Sequence, residues 1–286
     1  MSQPIGPNGL IPFPVPGSTL TSARGVYSVG QLIGDGQYGS VYECVGPFDQ
    51  PYALKMLRPA NKPYQVVKEE WATEMKRLES YRHPNIVYIH DAFEENYLFY
   101  LALEKCDTSL KALLEIGPMS PPLMVEVTRQ LLLALQYLHD AGLVHSDLHS
   151  GNVLLSQVDR WPIVKLTDFG VAHQLEGQHW FRPRVANPKI LTPELVIQGY
   201  TTRQSDLYQL GLLMYHMHTG RSATEGLGAD PSDVTAFIRE GTPRALAEAL
   251  GTPFSPVISK LLRRREGYRY QSGREVWEDL RRCIWW

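Results

Sequence analysis

A group of closely spaced glycines near the N-terminus has the spacing of a phosphate-binding loop. It reads Gly34-Asp35-Gly36-Gln37-Tyr38-Gly39 and is followed by the strand-like Ser40-Val41-Tyr42. Because glycine lacks a Cβ, backbone N–H groups in such a hairpin can approach phosphate oxygens, and Tyr38 would cap the loop tip. Dinucleotide-binding turns share the spacing, but a helix follows them. The motif alone leaves phosphate binding and an ordinary glycine-rich hairpin both open.

A lysine lies within an apolar strand-like segment shortly after this loop. Lys55 follows Ala53 and Leu54, and a lysine in such a strand needs either solvent or an anionic partner. The next segment has a helical pattern and contains four glutamates, which are Glu69, Glu70, Glu74 and Glu79. Without its neighbours, Lys55 indicates no specific function.

Two polar motifs follow in the second half of the chain, each beside an apolar strand-like segment. The first is His145-Ser146-Asp147-Leu148-His149-Ser150-Gly151-Asn152, before Val153-Leu154-Leu155. The second is Asp168-Phe169-Gly170, after Val164-Lys165-Leu166.

The order of glycine hairpin, lysine, HxDxxxxN and DFG is highly specific, and with it the chain resembles the eukaryotic-like Ser/Thr kinases of the protein kinase superfamily. The resemblance runs from about residue 27 to residue 280. It extends to Thr192-Pro193-Glu194 in the place of the APE motif, to the DxxxxG segment that begins at Asp206, and to Arg269, which is expected to pair with Glu194.

The resemblance implies an α+β, bilobal protein kinase fold, and the local patterns agree with it. Alternating segments predict antiparallel strands at 27–29, 40–45, 52–56, 86–90 and 97–103, with one helix over 66–81. Helical patterns follow at 123–141, 203–219, 232–240, 243–250, 256–264 and 272–284. We expect a Pro/Gly-rich tail over 1–24 and a kinase domain over 25–284, with an N-lobe at about 25–104 and a C-lobe at about 107–284.

The resemblance also implies catalytic roles for particular residues, with ATP and Mg²⁺ as cofactors. Lys55 would hold the α- and β-phosphates and pair with Glu74, which lies ten residues before Pro84. Asp147 would orient the acceptor hydroxyl and accept its proton. Asn152 and Asp168 would bind Mg²⁺, since a hard cation prefers oxygen ligands.

The nucleotide-binding residues follow from the same resemblance. Gly34, Gly36, Tyr38 and Gly39 would cover the phosphates. Leu103 is expected at the gatekeeper position, and Glu104 to Cys106 would form the hinge that binds adenine. Val41, Ala53 and Leu154 would sandwich the adenine ring.

The sequence departs from the family pattern at two positions of the catalytic loop. Ser146 stands where the family has an arginine, which by this resemblance would make the chain a non-RD kinase, and the segment 171–191 contains no Ser, Thr or Tyr. We therefore expect no control by phosphorylation within that segment. His149 replaces the catalytic-loop lysine and would assist the γ-phosphate either as a cation or as a neutral N–H donor. Because histidine changes charge near neutral pH, we expect lower activity above neutrality.

Three functions remain open on the sequence. The first is a Ser/Thr protein kinase, although Ser/Thr against Tyr specificity is less clear. The second is a small-molecule phosphotransferase, because HSDLHSGN also resembles the HGDLHxGN loop of aminoglycoside and choline phosphotransferases. The third is a pseudokinase scaffold, which the presence of Lys55, Glu74, Asp147, Asn152 and Asp168 disfavours.

Composition excludes several other classes of protein. The 286 residues are 43% hydrophobic and 20% charged, which is incompatible with disorder of the whole chain. A net charge of -2 argues against nucleic-acid binding. Three scattered cysteines and the lack of an apolar leader favour the cytoplasm, without membrane insertion. The kinase resemblance implies a protein substrate. The sequence leaves the oligomeric state, the tail and the Trp285-Trp286 end without an assigned role.

Overall fold

The computed structural model describes residues 5–6, 9–10, 13–36, 39–57, 59, 62–158, 161–183, 187–227 and 231–283. The chain divides into two compact units. The first comprises residues 1–82 and 87–106, and the second comprises residues 83–86 and 107–286. Tyr38 and the Trp285-Trp286 end lie outside the described residues.

The first unit is built on a six-stranded antiparallel sheet with the order β3-β4-β5-β6-β8-β7. Its strands are β3 (Thr19–Ser22), β4 (Gly25–Asp35), β5 (Gly39–Val45), β6 (Pro51–Leu57), β7 (Ile89–Glu95) and β8 (Leu98–Glu104). A short hairpin of β1 (Ile5–Gly6) and β2 (Gly9–Leu10) precedes it, and helix α1 (Tyr64–Ser80) lies between β6 and β7.

An aromatic core holds this sheet together. Tyr27 stacks on Phe93 at 5.3 Å between ring centroids, and Phe93 stacks on Tyr100 at 5.2 Å. Stacked aromatic pairs stabilise beyond the apolar area that they bury. Helix α1 is attached to the same sheet, because Trp71 Nε1 donates to the Tyr100 carbonyl at 3.0 Å.

The segment predicted as a tail contributes an edge strand to this sheet. Thr19–Ser22 pairs antiparallel with β4, and Leu20 is buried in the core. Asp91 on β7 accepts hydrogen bonds from Ser22 Oγ at 2.6 Å and from Tyr27 Oη at 2.9 Å. The sheet therefore begins before residue 25 and has one strand more than the five predicted.

The second unit is mainly helical. Its helices are α2 (Leu110–Ile116), α3 (Pro121–Asp140), α4 (Pro193–Gln198), α5 (Arg203–Thr219), α6 (Pro231–Glu240), α7 (Thr242–Ala249), α8 (Ser255–Leu261) and α9 (Gly273–Leu280). Its strands are β9 (Thr108–Ser109), β10 (Leu143–Val144), β11 (Val153–Val158), β12 (Trp161–Leu166) and β13 (His173–Gln174). They form a three-stranded sheet, β12-β11-β9, and the pair β10-β13.

Helix α5 is the buried centre of the second unit. It is buried on all sides over residues 205–214, so the polar side chains Ser205, Asp206 and Gln209 are enclosed with its leucines and methionines. Buried polar groups need hydrogen-bond partners, and Asp206 and Gln209 bond to the loops that precede β11 and α4. The helix thus fixes the loops that carry the polar motifs. Among the described residues, no helix combines the length and the apolar character needed to cross a bilayer.

Candidate active site

The glycine hairpin joins β4 to β5. The N–H of Gly36 donates to the carbonyl of Gly39 at 3.0 Å, and Ser40 Oγ donates to Asp35 Oδ1 at 2.8 Å. A Cβ on Gly39 would lie 2.4 Å from the carbonyl oxygen of Met56 on β6, so glycine is required there by packing. Gly36 has no such close neighbour, since the nearest atom to a Cβ there is 3.9 Å away. Packing therefore explains Gly39 but not Gly36.

Lys55 and Glu74 form a buried ion pair in the first unit. Lys55 Nζ donates to Glu74 Oε1 at 2.7 Å, and the two residues are only 6% and 3% exposed. This pairing was predicted, whereas Glu69 and Glu70 on the same helix are exposed. Each charge compensates the other in this buried position, so Glu74 holds the ammonium group of Lys55 in place.

The residues predicted to contact adenine are divided between the two units. Ala53 on β6 lies opposite Leu103 on β8, and both are buried. Val41 on β5 lies opposite Lys55, and Leu154 belongs to β11 of the second unit. Glu104 is fixed at the end of β8, because its backbone N–H donates to the Tyr88 carbonyl at 2.8 Å and its side chain accepts from the Tyr88 N–H at 2.7 Å.

The catalytic-loop motif begins with a backbone held by Asp206. The carboxylate accepts from the N–H groups of His145 at 2.9 Å and Ser146 at 2.8 Å, and it contacts His139 Nε2 at 2.7 Å. Ser146 has φ of 68°, which is unfavourable for a residue other than glycine. The hydrogen bonds of Asp206 therefore hold a strained turn directly before Asp147.

Asp147 is 3% exposed, and side-chain amides contact both of its carboxylate oxygens. Asn152 Nδ2 donates to Oδ2 at 2.9 Å and also to the Asp147 carbonyl at 2.9 Å. Asn187 Nδ2 donates to Oδ1 at 3.3 Å. The carboxylate is thereby oriented by two neutral donors from different segments.

His149 lies beside Asp147 with its tautomer defined by the backbone. Its Nδ1 accepts from the N–H of Gly151 at 3.0 Å, so the neutral ring carries its proton on Nε2. Nε2 is 3.6 Å from Asp147 Oδ2. A Cβ on Gly151 would lie 2.9 Å from the ring, so this arrangement requires glycine at 151. Of the two roles expected for His149, the geometry favours the neutral N–H donor.

The side chains of Asn152 and Asp168 fit the oxygen chemistry that Mg²⁺ requires. The Asn152 amide nitrogen is committed to Asp147, so its oxygen Oδ1 is the atom left to bind a cation. The backbone joins the two segments, because the N–H of Thr167 donates to the Asn152 carbonyl at 3.0 Å. Asp168 has φ of 66°, and the next residue, Phe169, is buried edge-on against His145 with 5.2 Å between ring centroids.

The ion pair between Glu194 and Arg269, which was also predicted, lies just after the segment 171–191 in the chain. The Arg269 guanidinium donates to both carboxylate oxygens, at 2.9 and 2.6 Å, and Ser205 Oγ also donates to Glu194. Burial raises the pKa of the Glu194 carboxyl, but the charge and hydrogen bonds of Arg269 outweigh that effect and lower it below its ordinary value. The pair therefore stays ionised and fixes the start of α4.

Sequence reasoning missed two amide side chains, Asn187 and Gln209. Asn187 lies in the segment 171–191, and sequence reasoning assigned it no role in the site. Gln209 lies inside the DxxxxG segment, but its side chain reaches back to the catalytic loop, where its Oε1 accepts from the N–H of Leu148 at 3.0 Å. The available signal was an amide side chain within the largely apolar stretch that follows Asp206.

Comparison with known proteins agrees with this geometry. Residues 27–269 match the family described as Protein kinase domain. The chain therefore belongs to the protein kinase domain family, and both the predicted α+β kinase fold and the resemblance to eukaryotic-like Ser/Thr kinases are confirmed.

Three curated relatives are named as Ser/Thr kinases. The chain is 34% identical over 193 residues to the probable serine/threonine-protein kinase zyg-1 of Caenorhabditis briggsae, a match that covers 66% of this chain and 26% of that protein. It is 27% identical over 264 residues to the serine/threonine-protein kinase PrkC of Bacillus subtilis, covering 90% and 40%. Human serine/threonine-protein kinase D2 is 32% identical over 190 residues, covering 65% and 21%. The matches thus span less than half the length of these relatives.

Proposed function

We propose that this protein is an ATP- and Mg²⁺-dependent kinase that transfers the γ-phosphate to Ser or Thr hydroxyls of a protein substrate. The observation that carries the proposal is the orientation of Asp147 by Asn152 and Asn187, beside the Nε2 of His149. A carboxylate held in this way is oriented to receive a proton without reorganising during the reaction.

Each residue has a distinct part in the proposed reaction. Asp147 orients the acceptor hydroxyl and accepts its proton as the oxygen attacks the γ-phosphorus. Lys55, held by Glu74, binds the α- and β-phosphates, and the glycine hairpin provides backbone donors. Asn152 and Asp168 would hold Mg²⁺, which when bound neutralises phosphate charge. Val41, Ala53, Leu103, Leu154 and the segment 104–106 bind adenine in this proposal.

The proposal includes the absence of phosphorylation control within the segment 171–191. No hydroxyl side chain is present there to accept a phosphate, and Ser146 replaces the arginine that would bind one. The cytoplasmic location also belongs to the proposal, supported by three free cysteines, Cys44, Cys106 and Cys283.

The test is ATP turnover with Mg²⁺, measured with radiolabelled ATP on a general protein acceptor such as casein. Asp147→Asn keeps the size of the side chain but removes the base, so we expect kcat to fall by roughly 10²–10⁴-fold. Asp233→Asn, at an exposed carboxylate of α6, is the matched control and should retain full activity.

The products separate the proposed function from its alternatives. Phosphoserine or phosphothreonine that disappears in Asp147→Asn supports the proposal, while phosphotyrosine contradicts the specificity. Turnover on choline or an aminoglycoside but not on protein would identify a small-molecule phosphotransferase, which the catalytic-loop resemblance keeps as the second candidate. Binding of Mg-ATP without turnover on any acceptor would indicate a scaffold.

A further inference from the structure

Gln209 connects three segments of the second unit through one buried side chain. It lies on α5 and is 4% exposed. Its Oε1 accepts from the Leu148 N–H at 3.0 Å, and its Nε2 donates to the carbonyls of Ser146 at 3.1 Å and Ile190 at 3.3 Å. A primary amide has two N–H donors and one oxygen acceptor, so all three groups are used.

The three partners surround the proposed base. Ser146 and Leu148 are the residues immediately before and after Asp147, so Gln209 fixes the backbone on both sides of the carboxylate. Ile190 lies near the end of the segment 171–191, three residues after Asn187, whose amide contacts Asp147 Oδ1. The Gln209 side chain therefore connects the segment 171–191, called the activation segment from here on, to the catalytic loop around Asp147.

The small cavity beside Gln209 is lined by no charged side chain among the described residues. Ser146, Thr192 and Gln209 contribute to its walls, and its volume of about 10 Å³ is no larger than a water molecule requires. The hydroxyls of Ser146 and Thr192 are buried there, and neither has a partner among the described residues. In this part of the molecule, neutral amide hydrogen bonds connect the activation segment to the catalytic loop.

We propose that Gln209 is a positioning residue that docks the activation segment onto the catalytic loop and so keeps Asn187 in contact with Asp147 without any phosphate. The proposal rests on the proposed kinase function and adds the means by which the base is kept in its active orientation.

The main test replaces Gln209 with Met, which has a similar length and removes all three hydrogen bonds while retaining apolar packing. Gln204→Met is the matched control, since Gln204 lies on the same helix and its side chain donates to Gln271 Oε1 at 3.2 Å, away from the catalytic loop. Hydrogen–deuterium exchange of peptides spanning 145–150 and 187–192 should accelerate at least tenfold in Gln209→Met and stay unchanged in Gln204→Met.

Kinetics provide a readout that general destabilisation would not give. We expect Gln209→Met to lower kcat by about 10–100-fold, while the KM for ATP and the Kd for Mg-ATP change less than threefold. Exchange and kcat equal to those of Gln204→Met would overturn the proposal. A loss of Mg-ATP binding parallel to the loss of kcat would also overturn it, because it would indicate a purely structural role.

A second variant covers the case in which Gln209→Met does not fold. Gln209→Glu keeps the acceptor for Leu148 but removes the donors, so exchange should accelerate in 187–192 while the Leu148 amide stays protected. Equal protection of 187–192 in this variant and in the natural protein would contradict the docking. Exchange and Mg-ATP binding do not require turnover, so they test the docking even if the natural protein transfers no phosphate.

Discussion

His149 and Asp147 lie side by side, and the two nitrogens of the His149 ring are in different environments. The Gly151 N–H occupies Nδ1, and Nε2 faces the carboxylate. A second proton could be placed on Nδ1 only by breaking the bond to Gly151. The ring is therefore arranged as a neutral donor, which a cationic lysine at this position would not be.

The residue-scale prediction compares three substitutions at His149. Because Gln supplies a neutral N–H, His149→Gln should keep kcat within about tenfold of the natural protein, while His149→Ala should lose about 10²-fold. Initial rates from pH 6.5 to 8.5 would be measured, with Mg-ATP binding as the control.

The same measurement tests the role of charge. If the neutral ring suffices, His149→Gln and the natural protein show parallel pH profiles. If a positive charge is required, only His149→Lys would remain active at the alkaline end, and the neutral-donor interpretation would be wrong.

At the scale of elements, buried ion pairs hold helix ends in place. Glu194 lies in the first turn of α4, and Arg269 lies between α8 and α9, with its guanidinium over the Tyr208 ring of α5 at 4.8 Å. One pair thus connects α4, α5 and the segment between α8 and α9. Removing one partner leaves the other charge buried and uncompensated, so its cost exceeds that of an exposed pair.

The prediction for this pair concerns stability in acid. The folded-state pKa of Glu194 lies below its ordinary 4.5, so the pair stabilises the fold above that pH and the stabilisation is lost as the pH falls through the folded-state pKa. At pH 7, Glu194→Gln should reduce the free energy of unfolding by about 3–5 kcal/mol. Urea unfolding at a series of pH values should show this difference shrinking in acid.

The exposed pair Arg244–Glu248 on α7 is the control for that series. Its atoms are 2.8 Å apart, but both side chains are about half exposed. Glu248→Gln should therefore cost less than about 1 kcal/mol at any pH. A difference between Glu194→Gln and the natural protein that stays constant from pH 7 into acid would contradict the lowered pKa.

A second element-scale prediction concerns the strand hidden in the Pro/Gly-rich segment. Leu20 is 5% exposed in the core of the first unit, whereas Val15, five residues earlier, is 61% exposed. Leu20→Ala should reduce the free energy of unfolding by about 2–3 kcal/mol, and Val15→Ala by less than about 0.5 kcal/mol. Equal effects in urea unfolding would show that this strand does not contribute to the stability of the fold.

At the scale of the whole molecule, the sequence predicted those parts of the site whose spacing along the chain matches that of the protein kinase family. The distance from Glu74 to Pro84 identified the partner of Lys55, and the place of Arg269 identified the partner of Glu194. The strand Thr19–Ser22 was not predicted, because an alternating pattern of only four residues is too short to identify a strand within a Pro/Gly-rich segment. Asn187 and Gln209 were not predicted either, because amide hydrogen bonds between distant segments leave no periodic pattern.

These amides bear on how the whole protein is regulated. Kinases that bind a phosphate on the activation segment gain activity from a covalent modification, and they lose it when the phosphate is removed. Here the segment 171–191 offers no hydroxyl, and its contacts with Asp147 and α5 come from Asn187 and from the Ile190 carbonyl. Its docking should therefore depend on folding alone.

The whole-molecule prediction is that dephosphorylation leaves activity unchanged. Protein treated with a broad-specificity phosphatase, and shown by intact mass to carry no phosphate, should keep kcat within about twofold of the untreated protein. Hydroxyl side chains outside the segment, such as Thr192, Thr19 and Thr21, remain possible phosphorylation sites, so the mass measurement is essential. A tenfold loss that Mg-ATP reverses by autophosphorylation would show phosphate control from outside the segment. Thr192→Val would then tell whether that control acts at Thr192, which lies directly beside the Gln209 contact.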